Sequence, residues 1–202
     1  MPRELTLVDA GLGNLASVER ALIQVGAAVR VTDDPDQVAT AKAVVFPGQG
    51  AFSAHTDELV EGAMGAALRM VIQRGDPFLG ICLGMQLLFD HSDEAGGHRG
   101  LGVLPGNCRH FPEGMTHGGR RLKVPHMGWN DVEPSGDHYY FVHSYYVDAG
   151  DENDVMWHAT YGDIRFAAAV HRNNVFGCQF HPEKSQQAGL RFLRAFLLGG
   201  TA

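Results

Sequence analysis

The sequence predicts an α/β fold, a mostly parallel sheet flanked by helices with an additional antiparallel or mixed strand section in the C-terminal half. Three observations predict it. Strand-like and helix-like segments alternate through the first half at a spacing that suits parallel βαβ units. One of those strands, KAVVF at residues 42–46, is a continuous apolar run of the kind a strand buried on both faces shows. From about residue 101 to residue 179 the segments become short, turn-rich and strand-like, which suits hairpins and a meander.

Taken in order, residues 4–9 (ELTLVD) predict a strand, and a glycine-rich turn leads from it into a helix over 15–25. That helix aligns Leu15, Val18, Leu22 and Val25 on one core-facing stripe. Residues 28–32 predict a second strand, ended by the turn residues Asp33, Asp34 and Pro35, and residues 42–46 a third. A helix over 56–74 places Val60, Met64, Leu68 and Val71 in line until Gly75-Asp76-Pro77 stops it. Residues 78–82 form the next strand and run directly into a helix from Leu83. The later strands are YYFVHSYYV, DVMWHAT, IRFAAAVH and NVFGCQF, and a helix over 183–198 carries Phe192, Leu193, Phe196 and Leu197 on one face. No linker, repeat or low-complexity tract interrupts the chain, so one domain over 1–202 is expected.

Composition narrows the function. A net charge of −7 disfavours nucleic acid or an anionic membrane as the main partner. No apolar run has the length of a membrane span, and the opening MPRELTLVDA lacks a signal-peptide core. The three cysteines, Cys82, Cys108 and Cys178, are odd in number and widely spaced, which fits a reducing cytoplasm rather than a disulfide framework. Eleven histidines include no HxxxH or HExxH pair, so no metal is expected. Asp9-x-Gly-x-Gly lacks the third glycine of a dinucleotide loop, and no cofactor is expected either.

The chemistry concentrates at Gly80-Ile81-Cys82-Leu83-Gly84-Met85-Gln86, a G-x-nucleophile-x-G pattern with cysteine at its centre. A nucleophile at a sharp strand-to-helix turn sits in strained backbone, and flanking glycines let neighbouring chain approach it. The following helix N-terminus favours a thiolate and offers backbone N–H groups to an oxyanion. Alone, the motif also fits a buried core cysteine. Gln179-Phe180-His181-Pro182-Glu183 supplies what a cysteine nucleophile needs: His181 as base at a strand end, and Glu183 at a helix start to orient it.

GxCxGxQ, FHPE downstream and Pro47-Gly48-Gln49-Gly50 upstream together resemble the class I (triad-type) glutamine amidotransferases over essentially the whole chain. The resemblance implies a flavodoxin-like sheet and a triad in which Cys82 forms the γ-glutamyl thioester. His181 would act as general base and acid, oriented by Glu183. It also implies an oxyanion hole built from Gly48, Gln49, Gly50 and Leu83.

Three further segments resemble the glutaminase subunits of imidazole glycerol phosphate synthases: residues 9–18 (DAGLGNLASV), 123–130 (KVPHMGWN) and 140–146 (YFVHSYY). That resemblance implies that Gln86, Glu94, Ser144 and Tyr145 hold the α-amino and α-carboxylate groups of glutamine, with Asp93 the adjacent competitor to Glu94. It implies a heterodimer with a (β/α)8-barrel cyclase that receives ammonia, and weak glutaminase activity until that partner docks. Lys123, His126, Met127 and Trp129 are the candidate partner contacts, although Trp129 and Tyr145 also fit core aromatics. Two positions depart from the pattern: Gln49 replaces the usual valine, and Ala10 a common aromatic. The competing readings are the glutaminase of another pathway (pyridoxal phosphate, anthranilate or guanylate synthesis), a catalytically silent binding protein on the same fold, and a cysteine peptidase of similar architecture.

Overall fold

The computed structural model describes residues 3–11, 14–50 and 56–200. Leu12 and Gly13 of the DAGLGNLASV segment lie outside the described residues. The N-terminal half contains β1 (Arg3–Val8), α1 (Leu15–Gln24), β2 (Ala27–Thr32), α2 (Pro35–Thr40) and β3 (Val44–Gly48). It continues through α3 (Thr56–Glu61), α4 (Ala63–Gln73), β4 (Phe78–Cys82) and the single turn α5 (Leu83–Gln86).

Two expectations change here. The Asp33-Asp34-Pro35 turn is the start of a helix: the Asp34 side chain accepts from the Asp36 N–H at 2.9 Å, and Pro35 sits where a helix needs no donor. The helix expected over 56–74 is two helices. Gly62 adopts extended backbone (φ −82°, ψ −172°) and caps α4, and a Cβ at Gly65 would lie 2.1 Å from the Val60 carbonyl oxygen. The apolar stripe runs unbroken across this corner, so periodicity alone does not reveal it.

Downstream come β5 (His91–Ser92), β6 (His98–Arg99), β7 (Gly106–His110), β8 (Thr116–His117) and β9 (Arg120–Arg121). β10 (His126–Val132) and β11 (Asp137–His143) pair as an antiparallel hairpin, and β12 (Tyr145–Ala149) leaves it at Ser144 to join β7. The YYFVHSYYV run is therefore two strands in two sheets. β13 (Val155–Tyr161), β14 (Ile164–Arg172), β15 (Val175–Cys178) and α6 (Gln186–Leu198) follow.

The main seven-stranded sheet has the order β13-β14-β15-β4-β3-β1-β2. β15, β4, β3, β1 and β2 are parallel, whereas β13, β14 and β15 form the expected antiparallel meander. β15 thus belongs to both patterns, since the turn after β14 returns it beside β4 with Cys178 opposite Ile81.

Alternation along the buried strands divides the core. Leu5, Leu7, Val45, Leu79 and Ile81 face α1 and α6, while Val44, Phe46 and Phe78 face the Val38, Leu68 and Val71 side chains of α2 and α4. Phe192, Leu193, Phe196 and Leu197 of α6 are all buried, each contributing about 2 kcal/mol by area removed from water. Both faces of the sheet are covered. That leaves the C-terminal ends of its strands as the natural place for a cleft. Among the described residues, no helix is long and apolar enough to cross a membrane.

Candidate active site

Cys82 ends β4 with φ +55° and ψ −108°, a backbone region that residues with a Cβ rarely adopt. The glycines around it are required by contact. A Cβ at Gly80 would sit 2.4 Å from the Gly84 carbonyl oxygen, and one at Gly84 would sit 1.9 Å from that of Phe46 on β3. The turn is therefore pressed against the sheet it leaves. The helix expected from Leu83 is α5, a single four-residue turn, so its contribution is the N–H groups of a first turn, not a long macrodipole.

β3 and β15 flank β4, and the chain that runs on from each carries further residues to the site. Gly48 lies opposite Cys82 in the β3–β4 register, and a Cβ there would meet Leu83 Cβ at 2.8 Å. Gly50 has φ +121°, accessible to glycine alone. Of the expected oxyanion donors, Gly48 stands opposite Cys82, while Gln49, Gly50 and Leu83 line one cavity with it.

From β15, Phe180 buries its ring against Tyr139 at 4.1 Å, while Gln179 and His181 alternate to its other side. The His181 N–H donates to the Tyr140 carbonyl at 2.9 Å. The Ser185 hydroxyl donates to the His181 carbonyl at 2.7 Å and accepts from the Tyr140 N–H at 3.0 Å. Glu183 sits in a 3-10 turn, Pro182–Lys184, ahead of α6 rather than at the helix start expected for it. What fixes it is close packing: a Cβ at Gly189 of α6 would meet the Pro182 carbonyl oxygen at 1.8 Å.

His181 Nδ1 and Glu183 Oε1 are 2.9 Å apart, with both side chains buried. An ionised Glu183 accepts a hydrogen bond from Nδ1–H, so the neutral ring presents a bare Nε2. That nitrogen is buried, with the Cys82 sulfur beside it. Burial opposes a charge on this imidazole, but the neighbouring Cys82 sulfur and Glu183 outweigh it and raise the pKa to about 10.

Cys82 opens onto a cavity of about 520 Å³. All four expected glutamine-contact residues, Gln86, Glu94, Ser144 and Tyr145, line it, together with Gln49, Gly50 and Leu83. Asp93 is not among the lining residues. Burial, reinforced by the charges of Glu94 and Asp93, pushes the Tyr145 phenol above its usual range. The Gln86 amide nitrogen donates to the Tyr145 carbonyl and to Gln179 Oε1, both at 3.0 Å, which leaves its oxygen for a ligand. His181 and Glu183 instead border a small cavity of about 10 Å³, and Gln49 lines both cavities.

The four candidate partner contacts separate. Lys123, Met127 and Trp129 are exposed, the last two at 63% and 47% and on the same face of β10. His126 is not available to a partner. It is 3% exposed, stacked between Phe141 and Tyr161, and its Nδ1 is 3.0 Å from His143 Nε2. Strand alternation places it inward when Met127 points out. One site neighbour escaped the sequence reading: Gln179, fully buried, whose amide nitrogen is 3.6 Å from Cys82 Sγ. A polar residue ending an apolar strand, two positions before His181, was the available signal.

The chain that assembles this thiol, imidazole and carboxylate is similar to known proteins over nearly its whole length. Residues 6–199 match the family described as glutamine amidotransferase class-I, and the chain belongs to that family. Solved structures share the fold. A glutamine amidotransferase crystal structure superposes with a TM-score of 0.72 at 21% identity, covering 96% of this chain and 98% of that one. A structure of PurLQS from Thermotoga maritima gives 0.71 at 17% identity, covering 98% and 99%. Within the family, the chain groups with the imidazole glycerol phosphate synthase subunits HisH. It is 49% identical to that of Salinibacter ruber, covering 95% of this chain and 92% of the relative. It is 48% identical to that of Syntrophotalea carbinolica, covering 95% and 98%.

Proposed function

We propose that this chain is the glutaminase half of an imidazole glycerol phosphate synthase, hydrolysing glutamine at Cys82 and passing ammonia to a separate barrel cyclase. The observation that carries the reading is the buried 2.9 Å His181–Glu183 bond beside a cysteine held at φ +55°. The Cys82 thiolate attacks the side-chain carbonyl carbon of glutamine, and the resulting oxyanion is met by N–H groups of Leu83 and of the Gly48–Gly50 backbone. A protonated His181 gives its Nε2 proton to the leaving nitrogen, and the C–N bond breaks to release ammonia and leave a thioester. The raised basicity of His181 keeps the ring protonated beside the Cys82 thiolate, so the proton is in place before attack. Neutral His181 then takes a proton from water, whose oxygen attacks the thioester carbonyl. Glutamate leaves and the thiolate is restored.

In the cavity, Gln86 Oε1 and Glu94 are acceptors suited to the α-ammonium group, while Ser144 and Tyr145 suit the α-carboxylate. Met127 and Trp129 offer an exposed apolar pair to the cyclase. A reducing cytoplasm would keep Cys82 as the free thiol the chemistry needs.

The test is glutamate release measured with the barrel cyclase and its nucleotide substrate. Cyclase-dependent stimulation, abolished by Cys82→Ala, is expected. Glutamate release that survives Cys82→Ala would overturn the assignment of the nucleophile. Stimulation by a different synthetase, and not by the cyclase, would overturn the pathway.

A further inference from the structure

Gln179 is fully buried at the end of β15, and both ends of its amide are engaged. Its Nε2 points to Cys82 Sγ at 3.6 Å, and its Oε1 accepts from Gln86 Nε2 at 3.0 Å. Gln86 donates in turn to the Tyr145 carbonyl, which also receives the His143 Nδ1 hydrogen at 2.8 Å. One side chain therefore touches the nucleophile on one side and the substrate cavity's Gln86 on the other. An N–H aimed at sulfur stabilises the anion more than the neutral thiol. A buried amide with both ends paired is also costly to reorient, since turning it leaves a donor or an acceptor unpaired away from water.

We propose that Gln179 is a positioning residue for the glutamine reaction: its amide N–H holds the Cys82 sulfur in its attacking position while its oxygen holds Gln86 against the substrate pocket. This rests on Cys82 being the nucleophile. Through Gln179, the strained thiol and the amine-binding end of the cavity are set relative to one another. Gln179 itself touches neither the substrate nor the proton in flight. Ionisable groups surround the sulfur from several elements: Cys178 on β15, His181 and Glu183 on the turn after it, and Glu94 and His143 across the cavity. A neutral replacement of Gln179 leaves all of these charges unchanged.

The experiment compares wild type, Gln179→Met and Gln179→Asn in the complex with the cyclase. Iodoacetamide labelling of the Cys82 peptide is followed by mass spectrometry across pH, alongside kcat and KM for glutamine and the thermal midpoint. Methionine matches the length without a donor. Asparagine keeps the amide but, one methylene shorter, does not reach sulfur and Gln86 together. In both variants the pH of half-maximal labelling should rise by about one unit, and kcat should fall about tenfold with a much smaller change in KM. An unchanged labelling profile in either variant, with activity lost only in proportion to a lower thermal midpoint, would overturn the proposal. If Gln179→Met does not fold, Gln179→Asn decides alone. Labelling needs no turnover, so a wild type that releases no glutamate would refute the glutaminase reading and leave the test of Gln179 intact.

Discussion

Adding one methyl group at Gly84 should disable the site. A Cβ there would lie 1.9 Å from the Phe46 carbonyl oxygen, and real Cβ contacts essentially never fall below 3.0 Å. The obstacle is main chain of β3, so α5 and β3 must separate by about 1 Å. That gap opens where Leu83 meets Gly48, the two sides of the expected oxyanion hole. A misplacement of about 1 Å typically costs ~100-fold in rate, and overpacking a tight core costs about 1–3 kcal/mol of stability. Gly84→Ala should therefore lower kcat/KM for glutamate release by about 100-fold and reduce the urea midpoint. Gly200→Ala, whose Cβ meets nothing nearer than 3.9 Å, should change neither. A Gly84→Ala protein within threefold of wild-type activity and with an unaltered midpoint would refute the claim that this contact sets the nucleophile turn.

Glu183→Gln should keep the fold but lower kcat by a thousandfold or more, because an amide no longer enforces the Nδ1–H tautomer; steady-state glutamate release reads this directly. Trp129→Ala should weaken binding to the cyclase by about 30-fold, near 2 kcal/mol, in a titration of the two subunits, and leave the thermal midpoint of the isolated chain within a few degrees. Acid should destabilise the chain through its buried histidine pair, since burial lowers the pKa of His126 to about 4 and that of His143 to about 3. Above the unfolded value of 6.5 both are neutral in either state. As pH falls from 6.5 towards 4 the unfolded chain takes up protons that the folded pair refuses, so stability drops by about 3 kcal/mol for His126 alone. Urea midpoints across that range measure the slope, and a flat profile would contradict it.

Much of this site was legible because each element announced itself locally. β4 is an uninterrupted apolar run ending at Cys82, and the buried stripe of α6 follows its 3.6-residue period. What stayed hidden depends on pairing. Nothing in VFGC tells whether β15 pairs parallel or antiparallel, and it does both. Gly62 and Gly65 turn the chain without disturbing the apolar period, so α3 and α4 read as one helix. His126 read as a partner contact because it lies in the KVPHMGWN segment beside Met127 and Trp129, yet its burial depends on Phe141, Tyr161 and His143 from other strands. Gln179 is significant only once β15 stands beside β4.

The parallel insertion of β15 also has a consequence for biosynthesis. Gln179 is translated 97 residues after Cys82, and His181 later still. As the chain leaves the ribosome from its N-terminus, the first strands and their helices emerge with the thiol already on β4. Until β15 settles along that open edge, the sulfur has neither its imidazole nor its amide donor, and the glutamine pocket lacks the partner that fixes Gln86. A half-made chain, carrying the reactive residue from early on, cannot release ammonia before the rest of the molecule exists to direct it.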